Sequence, residues 1–195
     1  MTVATDRRMT LKEFLTYDDG TDRRYELVDG VLVEMGAESR GNVKISLFLI
    51  QIFLQNLTYD QLGIKEKIEV RSSYVTARDP DLIVHSKDSA AAVEGRKEAC
   101  LFLNEPNPSL VIEVVSPGTE STDNYKRDYV QKSSEYADRG IPEMWLIDSS
   151  RAWIKVGTLT DGAYQFVTFM GDDPIVSPTF PELKLTVEQV LRAGR

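Results

Sequence analysis

Residues 110–148, LVIEVVSPGTESTDNYKRDYVQKSSEYADRGIPEMWLID, decide the fold. An apolar run holding one carboxylate is followed by a turn, an amphipathic segment and a second apolar run ending in another carboxylate. That order reads as strand, helix, strand. The first run, 110–115, is short, β-branched and nearly continuous, as in a strand buried on both faces. Alternate residues of a strand share a face, so Glu113 projects with Val111 and Val115, while Leu110, Ile112 and Val114 project the other way. A carboxylate in that position needs a partner. Between Asn124 and Arg139, Tyr125, Tyr129, Lys132 and Tyr136 recur at helical spacing and form one stripe. So aromatic a stripe faces the sheet, and Lys132 points inward with it. An inward lysine beside an inward glutamate fits a buried ion pair, a lysine reaching for the rim, or half of a metal-dependent active site.

Composition sets the frame. The chain has 195 residues, 42% hydrophobic and 28% charged, which is a soluble globular composition long enough for one well-buried core. One domain over 1–195 with a loose tail over 1–8 is expected. No apolar run reaches the ~18 residues of a membrane span, and MTVATDRRMT lacks a hydrophobic signal core, so the expected location is the cytoplasm. Cys100 is the single cysteine and reads as a small apolar filler. The net charge of -8 argues against sequence-independent nucleic-acid affinity through a generally basic surface, and leaves room for a local basic patch.

Upstream of the central unit, Thr10 and Glu13 form a capping box ahead of a short helix. RYELVDGVLVEM, residues 24–35, reads as a hairpin about Asp29-Gly30. Its two-residue loop pairs Val28 with Val31 and Glu26 with Val33, which puts Glu26 on a face otherwise made of valines. If the hairpin packs on the central unit, Glu26 comes near Glu113. Residues 38–42 read as a polar connection, and 43–57 as a helix apolar around most of its girth, both buried in the core and used in a subunit interface. A homodimer is therefore expected. Residues 64–74 alternate charged and apolar side chains like a half-exposed strand, with Lys65, Lys67, Glu69 and Arg71 on its solvated face. Pro80 closes that segment, Asp81 opens a buried strand, and His85 reads as a rim residue outside the site.

Residues 86–108 read as a long polar loop. After the second strand, two runs joined through residues 160–162 read as an edge hairpin, and Thr186 with Gln189 caps a final short helix.

Three carboxylates on apolar strand faces, Glu26, Asp81 and Glu113, exceed what packing needs, because each buried charge costs several kcal/mol unless paired or metal-bound. Oxygen donors of this kind suit Mg²⁺ or Mn²⁺, and a neighbouring lysine suits phosphodiester hydrolysis. The order Tyr-Glu-Leu-Val-Asp-Gly (25–30), Pro80-Asp81, Val-Ile-Glu-Val-Val-Ser-Pro (111–117), then Lys132 and Tyr136 ahead of Gly-Ile-Pro-Glu-Met-Trp-Leu-Ile-Asp (140–148) resembles the Uma-type restriction-endonuclease family of the PD-(D/E)XK nuclease superfamily. The resemblance spans residues 9–191. It implies an α/β (α+β), restriction-endonuclease-like fold: a mixed β-sheet core flanked by helices, here with N- and C-terminal hairpins. It implies metal-binding acids at Asp81 and Glu113, the Val114 carbonyl as a third metal contact, and a helical acid role for Glu26, which the residues themselves place in a hairpin. The superfamily lysine belongs two residues after the glutamate, where this chain has Val115; Lys132 is the residue able to reach the same space. The reading is thus a Mg²⁺- or Mn²⁺-dependent DNA endonuclease using Glu26, Asp81, Glu113 and Lys132. The alternative is a non-catalytic dimeric binding module that keeps the ion cluster for structure. A glycosidase-like acid pair ranks third, since the chain offers little of the aromatic cleft a sugar requires.

Overall fold

Turn and cap chemistry sets the element ends in this computed structural model, which describes residues 8–116, 121–122 and 125–195. The tail over 1–7, Pro117 and Asn124 lie outside the described residues. Thr10 and Glu13 close the expected capping box on α1, Leu11–Leu15. Strands β1, Tyr25–Val28, and β2, Val31–Glu34, pair with Glu26 opposite Val33 and Val28 opposite Val31. The loop between them has Asp29 at φ 49° and Gly30 at φ 80°, the two left-handed residues of a type I′ turn. Helix α2, Arg40–Phe53, follows, then β3, Leu62–Gly63, β4, Lys67–Val70, β5, Thr76–Arg78, and β6, Leu82–Val84. Helix α3, Lys87–Val93, and β7, Cys100–Leu101, precede β8, Leu110–Val114. A π-helical segment, Lys126–Gln131, runs into α4, Lys132–Arg139. Then come β9, Glu143–Asp148, the hairpin of β10, Trp153–Thr160, and β11, Ala163–Met170, and α5, Val187–Ala193, capped by Thr186 and Gln189.

The strands form two sheets, ordered β2-β1-β5-β4-β7 and β11-β10-β9-β8-β6-β3. In the larger, β8 and β9 are parallel, as the strand, helix, strand reading requires, and the β10-β11 hairpin forms the edge. One face of β8 follows Leu110, Ile112 and Val114 into a core with Ile45, Leu49 and Phe53 of α2 and Val187, Val190 and Leu191 of α5. The other face sends Val111 and Val115 into a second core. Ile68 and Val70 of the smaller sheet join that core, and Tyr136 of α4 fills the space between the sheets. A third core joins Phe14 of α1 to Tyr25, Leu27, Leu32 and Ala77. Among the described residues no helix is long and apolar enough to cross a membrane.

Several expectations need correction. The supposed connection over 38–42 is the start of α2, because Ser39 caps it by accepting the Asn42 N–H, so the helix runs earlier than 43–57. Its outward face leaves Val43, Leu47 and Leu54 exposed. The strand expected over 64–74 shrinks to β4, and Lys65 before it takes a positive φ of 55°. The expected loop over 86–108 contains α3 and β7, with Ser86 capping the helix. His85 is buried rather than at the rim, with Ser89 Oγ 3.0 Å from one ring nitrogen and Glu66 Oε2 3.2 Å from the other. Cys100 is fully buried, and burial pushes its thiol up to about 12, consistent with a filler.

The hairpin turn supplies the test of this architecture. Gly30→Ala is expected to cost at least about 1–2 kcal/mol, the left-handed penalty of a Cβ that would also lie 2.6 Å from Tyr74 Cδ1 and 2.9 Å from Arg8 Cβ. The melting temperature should fall by roughly 2–8 °C in consequence. Thermal melts of the variant, the parent and Gly36→Ala, whose added Cβ meets nothing within 4 Å among the described residues, check this.

Candidate active site

The helical stripe brings Lys132 between two sheets. Its Nζ donates to Glu113 Oε2 of β8 at 2.7 Å and stands 3.1 Å from Glu26 Oε1 of β1. Asp128 Oδ1, one turn earlier on the π-helical segment, is 3.9 Å away. Tyr136, one turn later, donates its hydroxyl to Glu113 Oε1 at 2.8 Å. Both oxygens of Glu113 are therefore held from a single helix. Glu26 also accepts from Arg78 Nη1 at 2.9 Å and from the Asp79 N–H at 3.3 Å. Arg78 continues to Glu135 of α4 through Nε, 2.6 Å, and Nη2, 2.8 Å.

Asp81 stands immediately before β6, and its Oδ2 accepts the Val114 N–H at 2.7 Å. The Val114 carbonyl accepts from Asn42 Nδ2 at 3.0 Å, and Asn42 Oδ1 accepts from Ser39 at 2.8 Å. Asp79, Asp81, Glu113, Val114, Asn42 and Lys132 line one cleft of about 50 Å³. Glu26 does not line it; it lies fully enclosed behind Lys132. Val115, in the superfamily lysine position, packs in the second core.

The charges respond to burial and to one another. Burial pushes Glu113 up, Lys132 opposes it, and Asp81, Asp128 and Glu26 add to the rise, so its carboxyl titrates at about 8. Asp81 is raised to about 6, again by burial. Burial works in the same sense on Glu26, but Lys132 and Arg78 outweigh it and hold that carboxyl at about 2. Burial by itself would lower Lys132; Glu113, Glu26 and Asp128 overcome it and keep the ammonium charged. Lys132 is thus a fixed cation and not a proton acceptor.

The cleft can be tested against the divalent cation that the resemblance implies. Among the described residues no three carboxylate, imidazole or thiol groups converge at ligand spacing. Asp81, Glu113 and the second lone pair of the Val114 carbonyl are hard oxygen donors, and Asp79 Oδ1 at the same cleft is buried with no hydrogen-bond partner among the described residues. The space admits a hydrated ion. That set fits a cation content with one or two protein carboxylates and otherwise hydrated, which is the habit of Mg²⁺.

Sequence reasoning placed Glu26, Asp81, Glu113 and Lys132, and the structure brings all four into one neighbourhood. It missed Arg78, Asn42, Asp79 and Asp128. Asp128 stands four residues before Lys132, a spacing that could have found it. Asp79 flanks Pro80 as Asp81 does. Arg78 gave no signal, because β5 is three residues long. Asn42 lay in a stretch read as a connection. Two further buried carboxylates are fully occupied by structural hydrogen bonds. Glu143 accepts from Trp145, Ser177 and the Thr179 N–H, and Asp148 accepts from Tyr129, Ser150 and Arg151.

A family profile described as "Putative restriction endonuclease", Uma2, matches residues 11–188. The chain belongs to the Uma2 family. Its fold is that of a solved protein as well: a crystal structure of "a putative nuclease belonging to DUF820" from Anabaena variabilis superposes with a TM-score of 0.69. The two share 17% sequence identity over 96% of this chain and 99% of the other. Among curated proteins no match reaches significance. The Uma2 match covers all four acid and lysine positions, and the nuclease-like fold agrees with the restriction-endonuclease-like core expected from the sequence.

The opposed shifts of Glu113 and Glu26 give opposite pH signatures. From 4.5 to about 8 the folded state keeps the Glu113 proton that the unfolded state has lost, so this group's contribution to stability falls as pH rises. Glu26 contributes stability that is complete above 4.5 and is lost as pH falls toward about 2. Urea unfolding across these two windows should show a shallower alkaline decline for Glu113→Gln and a shallower acid decline for Glu26→Gln, each against the parent protein.

Proposed function

We propose that this chain is a divalent-metal-dependent nuclease that hydrolyses DNA phosphodiester bonds. One observation carries the reading: a buried lysine, kept cationic, donates to a carboxylate that shares a small oxygen-lined cleft with Asp81 and the Val114 carbonyl. The family description and the nuclease-like fold support it. Asp81, Glu113 and the Val114 carbonyl would hold Mg²⁺ or Mn²⁺, which when bound supplies Lewis-acid activation of a phosphodiester and acidifies a water.

The chain's own residues have separable roles in this reading. Lys132 has three donors, of which Glu113 and Glu26 take two, leaving one for a phosphate oxygen or for the attacking water. In this reading its positive charge faces the phosphoryl oxygens, on which negative charge develops during hydrolysis. Glu26 and Arg78 are positioning residues that fix Lys132 from the far side. Tyr136 holds the second oxygen of Glu113, and Asn42 orients the Val114 carbonyl. The exposed Val43, Leu47 and Leu54 on α2 support a homodimer as part of the same reading, with sedimentation of Leu47→Glu as its check.

One feature favours the other reading, a non-catalytic module: Glu113 already has both oxygens satisfied by Lys132 and Tyr136. Plasmid nicking in Mg²⁺ or Mn²⁺ separates the two. Metal-dependent nicking that falls by about 10²–10³ in Glu113→Gln and Lys132→Met supports the nuclease, a loss on the scale of removing one electrostatic stabiliser. Nicking that persists in both variants comes from a contaminant, and its absence from the parent protein favours the module. Because Asp81 and Glu113 must shed protons to ligate metal, Mn²⁺ affinity by titration calorimetry should rise from pH 6 to about 8, with proton release.

A further inference from the structure

The sequence IKEKIEV, residues 64–70, places Lys65 and Lys67 two apart ahead of and within β4. The parallel pairing of β4 with β7 sets Lys67 opposite Cys100, and the Lys67 N–H donates to the Ala99 carbonyl at 2.9 Å. Lys97, just upstream on the same segment, therefore reaches the same sheet edge. Arg23 and Arg24, leading into β1, complete the lining of an open groove of about 760 Å³. Five cations converge there in a chain whose net charge is -8.

Three of the five charges are available, since Arg23 pairs with Glu34 and Arg24 with Glu38 and Asp79. Among the described residues Lys65, Lys67 and Lys97 have no carboxylate partner; Lys67 instead lies 5.5 Å over the Phe14 ring. Of the three acids on the groove, Asp79 is committed to Arg24 at 2.9 Å, while among the described residues Asp22 and Glu98 form no ion pair with the lysines. The groove also meets the candidate active site. Arg24 and Asp79 line both the groove and the small cleft of Asp81 and Glu113, and Lys65 lines a further cleft that includes Asp81.

We infer that this groove binds the phosphodiester backbone of the substrate strand on one side of the scissile bond, through Lys65, Lys67 and Lys97, with the Arg24–Asp79 ion pair marking the junction with the candidate active site. The inference rests on the nuclease reading and specifies where the substrate lies. A flexible ammonium gives sequence-independent, salt-sensitive attachment to phosphate. The groove therefore supplies the affinity that the protein's overall acidity opposes.

The experiment measures binding of labelled single-stranded and duplex DNA by fluorescence anisotropy, with Ca²⁺ in place of Mg²⁺, across a salt series, alongside plasmid nicking in Mg²⁺. Lys65→Gln and Lys97→Gln are combined; glutamine keeps the stem and adds no strain at the positive φ of Lys65. The double variant should bind roughly tenfold more weakly at low salt, and its log-log salt slope should fall by about 1.8 on duplex or about 1.4 on single strands. Lys184→Gln, on a different groove, should match the parent protein. A double variant that keeps the parent's slope and affinity overturns the groove assignment and leaves the nuclease reading standing. A parent protein that neither binds nor cleaves DNA overturns both.

Discussion

The structure depends on one ammonium group. Lys132 comes from α4, Glu26 from the smaller sheet and Glu113 from the larger, so their contacts tie two sheets and a helix at a single point. Van der Waals packing around Tyr136 fills the space between the sheets but does not specify a register. Charged hydrogen bonds do, because a carboxylate left without its cation in that interior would cost several kcal/mol. The arrangement admits one placement of the helix.

Such a cluster is poor evidence of stability in its own right. Apolar replacements of similar volume often equal or exceed a buried ion pair. Here the balance is less favourable still, since Glu113 and Asp81 are both raised by burial while a single lysine serves two glutamates. A core under selection for packing alone would have no need of this concentration of acids at a small cleft. In the proposed reading these carboxylates, held at close quarters, would give up their protons to a cation. Glu26, driven the other way to about 2, joins Glu113 in keeping Lys132 protonated.

Much of this was legible in the sequence, for identifiable reasons. The Asp29-Gly30 loop admits one register, so the face of Glu26 followed from it, and the capping boxes at Thr10 and Thr186 fixed two helix starts. The alternation of β8 and the stripe of α4 pointed Glu113 and Lys132 toward each other. What escaped were features whose cause is tertiary. β5 is a three-residue strand held by neighbours on both sides, so Arg78 carried no local signal. His85 reads as a rim residue until α3 and Glu66 close over it. The π-helical segment widens a turn just ahead of Lys132, which no apolar period reveals.

A lysine presented from a helix, as in the proposed site, has a structural consequence. On β8, two residues after Glu113, a lysine would be aimed by the pleat alone. From α4 it is aimed only if the helix can neither slide nor rotate, and the chain anchors α4 along its length. Tyr129 donates to Asp148 at 2.5 Å ahead of it, and Glu135 takes both arms of the Arg78 fork in the middle. At its end Arg139 donates to the Glu69 and Phe102 carbonyls, while Asn107 donates to the Arg139 and Gly140 carbonyls at 3.1 and 3.0 Å. These bonds reach both sheets and the loop ahead of β8. They do for a helical lysine what backbone register does for a strand lysine, and they account for the long polar contacts of a short helix that packing alone would leave free to shift.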